Sequence, residues 1–126
     1  LTRTCQGCHA PPFVRENMDR RDAMLRESDR LCAAAVREVA ALHEAGLLPA
    51  TANGRYPDLA LADRASPVER RLAAMFFEDR ARLVATAFHM SPRSGEWRSA
   101  LARDLEEIRR LAASARGAGK RRAAPP

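Results

Sequence analysis

Five residues near the start of the chain, Cys5-Gln6-Gly7-Cys8-His9, set two thiols and an imidazole at a spacing with a specific chemical use. Two thiols at this separation reach the two vinyl groups on one edge of a porphyrin and close thioethers. The next residue puts its imidazole under the iron as proximal ligand. The pattern C-x-x-C-H is therefore the attachment signature of a covalent c-type haem. Cys5 and Cys8 are the thioether donors and His9 the iron ligand. A haem held this way carries the electron chemistry, and the protein tunes it.

Two other chemistries use a Cys-x-x-Cys pair. A structural zinc site needs four nitrogen or sulfur ligands. Cys5, Cys8 and His9 would have to recruit Cys32, His43 or His89, and the chain has no second closely spaced pair. A thioredoxin-like dithiol belongs in a βαβ setting, and no strand pattern lies near this one. The third cysteine, Cys32, falls on the apolar stripe of a helix and reads as a small buried hydrophobe. His89 is the next residue of interest, set between Phe88 and Met90 at the end of a helical stretch. It is a candidate distal ligand to a haem iron; the alternative is a partly buried histidine whose charge suits a helix C-terminus. Met90 is a rival ligand, since Met/His ligation also occurs. His43, in Leu42-His43-Glu44, reads as a surface residue.

The elements that must position these groups are helical. Pro11 and Pro12 block helix continuation after His9, and Phe13 is placed to pack on a porphyrin. The first helix is expected over about 19–45, with Leu25, Cys32 and Val39 repeating every seven residues and Ala35 and Leu42 between them. Ser28 weakens that stripe. Gly46 suits a C-cap, and Pro49 prevents resumption. A loop is expected over 47–65, with turn chemistry at Asn53-Gly54 and Tyr56-Pro57-Asp58. Leu47, Leu48, Leu59 and Leu61 would lay it against the helices.

The second helix opens on Ser66, Pro67 and Glu69, a capping box with proline at its first position. It continues through Leu72, Met75, Phe76, Leu83, Ala87 and Met90 and stops before Pro92; Asp79 interrupts its stripe. The third is expected over about 96–115, with Trp97, Leu101, Leu105, Ile108 and Ala112 at helical spacing. The fold class is all-α. A haem-binding loop is expected over 1–18, three long antiparallel helices over 19–115, and a disordered basic tail over 116–126.

Composition limits the partners. The 126 residues carry a formal net charge of +6, with Lys120 the sole lysine. The arginines alternate with Asp and Glu along the helices, as on a solvated face, so nucleic acid is not an expected partner. No stretch is long and apolar enough to span a membrane. Covalent haem attachment implies assembly outside the cytoplasm, so a periplasmic or extracytoplasmic location is expected. The chain begins at Leu1, with the motif almost at its first residue. It is therefore expected to be the C-terminal part of a larger protein, its signal peptide lying in the missing upstream sequence.

Several segments together carry a resemblance. Thr86-Ala87-Phe88-His89-Met90-Ser91-Pro92-Arg93-Ser94 is followed by Trp97. Ahead of it lie Met75-Phe76-Phe77-Glu78-Asp79-Arg80-Ala81-Arg82 and Tyr56-Pro57-Asp58-Leu59. With the haem motif, these resemble the C-terminal region of octahaem hydroxylamine oxidoreductases and their reductive relatives, over roughly residues 4–112. In that family the last C-x-x-C-H precedes three long helices, and the second ends in a Phe-His-Met-x-Pro segment. The resemblance implies one haem c here and more upstream, a homotrimer, redox partner proteins, and hydroxylamine or nitrite as the small nitrogen substrate.

The departures carry information too. The family's oxidising members cross-link a tyrosine to a neighbouring subunit's catalytic haem. Ser94 stands at that position and cannot form the bond, so the chain resembles the reductive branch. Arg93 replaces an acidic residue. Three alternatives stay open: a multihaem protein that only carries electrons, a self-contained monohaem carrier, and a helical zinc-binding or scaffold module. Against the monohaem carrier stand Ala10-Pro11-Pro12-Phe13, where such proteins show a Gly-Pro-x-Leu type loop, and the long helices.

Overall fold

The computed structural model describes residues 2–49, 66–88, 91 and 93–123, and within these the chain is all-α. A short helix, α1 (Thr2–Gln6), precedes a long one, α2 (Pro11–Glu44). Next come α3 (Pro67–Ala74), a π-helical segment (Met75–Asp79) and α4 (Arg80–Phe88), which run on from one another without a break. The last element is α5 (Ser94–Ala123). The turn signals at Asn53-Gly54 and Tyr56-Pro57-Asp58, with Leu59, Leu61, His89 and Met90, lie outside the described residues.

The expected loop over 1–18 is mostly helix. Pro11 and Pro12 separate α1 from α2, and they also open α2. Proline's fixed φ suits the first helical turn, where the missing N–H would be unpaired in any case. Ala10 is extended, at φ −61° and ψ 139°, and α2 starts directly after it. The first long helix thus begins at residue 11 rather than near 19, and its 34 residues span about 50 Å.

Its far end closes as the sequence indicates. Gly46 takes φ +65° and donates to the His43 carbonyl (3.0 Å), while the Leu47 N–H reaches the Leu42 carbonyl (2.9 Å). This pair of bonds is a Schellman close, and a left-handed residue makes it possible. Leu47 and Leu48 then pack against the core.

Side-chain pairs give the directions of the helices. Glu38 of α2 meets Arg109 (3.9 Å) and Arg116 (3.0 Å) of α5, and Leu47 lies against Gly119. Rising numbers on α2 match rising numbers on α5, so the two run parallel. Along the middle stretch the order reverses: His43 pairs with Glu69 (2.9 Å), and Asp29 with Arg80 (2.7 Å). The stretch 67–88 therefore runs antiparallel to both long helices.

The core is formed by Leu31, Cys32, Ala35, Val39 and Leu42 from α2, Val68, Leu72, Met75 and Leu83 from the middle stretch, and Leu101, Leu105, Ile108 and Ala112 from α5. Each fully buried large apolar side chain contributes about 1.5–3 kcal/mol.

Two packing details depart from the sequence reading, while Ser28 keeps the stripe position read for it. Phe76 is on the surface, 36% exposed, because the wider π turn rotates it off the buried face that Met75 keeps. Ser28 is fully buried among the core side chains. The segment expected as a disordered tail continues α5 to Ala123. Arg116 is anchored on Glu38, and Gly119 permits close approach; a Cβ there would meet Leu47 Cδ2 at 2.5 Å.

Candidate haem attachment site and its surroundings

The motif occupies the end of α1 and the turn after it. The Cys5 carbonyl accepts from the Cys8 N–H (3.2 Å) and from the His9 N–H (3.0 Å). These two bonds wind residues 5–9 into a single helical turn. Cys5 and Cys8 then lie three apart on one face, with His9 one step beyond. Cys5 is half-buried, Cys8 and His9 are exposed, and neither thiol is in a disulfide. The His9 imidazole stacks on Phe13 in the first turn of α2, with ring centroids 5.1 Å apart and planes 29° from parallel. Phe13 itself remains 50% exposed.

This donor set fits a covalent haem: two free thiols on one face of a turn, an adjacent imidazole steadied by an aromatic ring, and an open approach. No three His, Cys, Asp or Glu side chains among the described residues converge on one point. Cys32 stands apart in the core, 4% exposed, and burial pushes its thiol up. A buried, protonated thiol is inert as nucleophile or ligand.

The proposed distal ligand, His89, comes directly after α4, which ends at Phe88. Ser94, in place of the cross-linking tyrosine of the resemblance, opens α5 and is half-buried. Arg93 pairs with Glu96 (3.2 Å) and lies over Trp97, whose ring Arg82 also approaches, at 5.2 Å.

Two polar clusters escape the sequence reading. His43, expected on the surface, is half-buried, and its Nε2 lies 2.9 Å from Glu69 Oε1. Glu69 also caps α3: its Oε2 accepts from the Ser66 N–H at 2.8 Å. Burial works to raise the Glu69 carboxyl, but the Ser66 hydrogen bonds and His43 outweigh it and hold the group below its usual value.

The second cluster lies at the π segment. Asp104 is fully buried, bonds Arg71 and faces the carboxyl of Asp79. Its Oδ2 finds no N–H or hydroxyl donor among the described residues. Burial first, and then Asp79, raise Asp104 to about 6, against the opposing pull of Arg71. Asp79 shows in the sequence only as an interruption of the second helix's stripe; Asp104, inside a regular apolar stripe, gives no such signal.

Searches against protein-family models, curated proteins and solved structures found no match.

Proposed function

We propose that the chain carries one covalently attached haem c and transfers electrons as the C-terminal part of a multihaem cytochrome of the hydroxylamine oxidoreductase type. The observation that carries this reading is the turn at residues 5–9, with two free thiols on one face, an exposed imidazole next to them and Phe13 behind it. When bound, the haem supplies one-electron redox chemistry. Cys5 and Cys8 would hold it by thioethers, and His9 would supply an imidazole ligand to its iron.

His89 is the proposed distal ligand, to this haem or to another. The substrate site for hydroxylamine or nitrite belongs to the upstream part, with Ser94 favouring the reductive direction. Exposed Phe76 and Phe77, edge to face at 5.6 Å, support a contact with further copies in a homotrimer. The remaining expectations belong to the same proposal: redox partner proteins, a periplasmic or extracytoplasmic location, and no nucleic acid. None of the described helices is long and apolar enough to cross a membrane.

The test is expression in the periplasm with c-type maturation machinery, then a denaturing haem stain and an optical spectrum. Wild type is expected to retain haem after denaturation, and Cys5→Ala and Cys8→Ala each to lose a thioether. His9→Ala is expected to keep the covalent mass but change the iron's ligation spectrum. A folded, helical product without denaturation-resistant haem would overturn the proposal. His89→Ala with an unaltered low-spin spectrum in the assembled protein would remove His89 as a ligand.

A further inference from the structure

Beyond Phe13, α2 continues one stripe through Asn17, Arg20 and Met24, at spacings of four, three and four residues. On a 3.6-residue helix such residues share a face. The stripe starts at the ring on which His9 stacks and leads into a groove of about 500 Å³ between α2 and the start of α5. Asn17, Arg20 and Met24 line the groove from α2, and Ser91, Ser94 and Arg98 from the other side. The rise from Phe13 to Arg20 is about 10 Å.

The chemistry of this lining is one-sided. It contains two guanidinium groups, two hydroxyls and the apolar wall of Met24, and, among the described residues, no carboxylate. Arg98 makes no ion pair among the described residues; it acts on Glu27 only through its field. Arg20 is paired with Glu16 one turn back, and both side chains are more than half exposed. Such a pair is worth about 0–1 kcal/mol and yields readily to a better partner. Ser94 places the first turn of α5 at the groove, where the positive end of the helix dipole also favours an anion. A flat apolar molecule with an acidic edge is the ligand such a lining suits. A porphyrin tethered by its vinyl edge presents its propionates on the opposite edge.

We propose that this groove receives the propionate edge of the haem held by Cys5 and Cys8, with Arg20 and Arg98 as its ionic partners. The inference rests on the proposed haem attachment at Cys5 and Cys8. Arginine is the residue suited to the role, because its planar fork meets a carboxylate with two parallel bonds.

The test compares haem-loaded wild type, the double variant Arg20→Gln/Arg98→Gln and the remote control Arg109→Gln/Arg110→Gln, which loses the same charge. The haem stain reports loading, resonance Raman the propionate bending modes, and potentiometry the midpoint. The groove variant is expected to load haem, shift its propionate modes and fall in midpoint potential more than the control; Arg20→Lys/Arg98→Lys is expected to recover part of the fall. A groove variant that loads haem yet matches the control in both readouts overturns this inference and leaves the haem assignment standing. A wild-type chain that stains for no haem overturns the assignment, and this inference with it.

Discussion

A fully buried carboxyl such as Asp104 makes stability depend on pH. It titrates near about 6 in the folded chain and near about 3.9 when unfolded. Between those values the folded state holds more protons, so stability from this group falls as pH rises. Asp104→Asn keeps an acceptor for Arg71 and removes the charge, so it should flatten the decline between about pH 4.5 and 7.5. Urea melts of both proteins at the two pH values, compared as a difference, check this. Glu69 acts in the opposite direction: its lowered carboxyl contributes stability that is lost in acid, and it cancels in the comparison. Equal declines in the two proteins would place the proton loss elsewhere. Sequence shows little of this. A periodic apolar stripe on α5 names Leu101, Leu105 and Ile108, but a buried aspartate is identified only by what stands opposite it. His43 is hidden from a sequence reading for the same reason: its partner, Glu69, is 26 positions away.

At the level of elements, local rules hold wherever the chain satisfies itself. The capping box at Ser66 and Glu69 is formed in both directions, at 3.4 Å and 2.8 Å. Ser66→Ala should cost about 0.5–2 kcal/mol, measurable by chemical denaturation, with Ser66→Thr recovering most of it. No change would mean that Pro67 and His43 hold the start of α3 without the cap. The rules fail where one signal has two meanings. Pro11-Pro12 marks a boundary without saying that a helix starts there. The π segment is not legible, because Met75, Phe76 and Asp79 fit an ordinary helical period nearly as well. The Cys5–His9 turn is legible as a local unit, since its residues are consecutive and their hydrogen bonds close within five positions.

Across the whole molecule the core is shared by three stretches, Leu31–Leu42, Val68–Leu83 and Leu101–Ala112, while the described side chains of α1 are exposed or half-buried. Local opening is easiest where little apolar surface is buried. Amides of these three core stretches should therefore exchange slowest, and those of residues 3–6 fastest. Hydrogen exchange with mass readout checks this; uniform protection would show that α1 belongs to the same cooperative unit. The parallel course of α2 and α5 has a practical consequence. Gly119, near the end of α5, lies against Leu47 at one end of the molecule, and the Cys5–His9 turn lies at the other, beyond about 50 Å of helix. An electrode or resin grafted through the last described turns of α5 would hold every molecule with the Cys5–His9 turn facing outward, one orientation for the entire film.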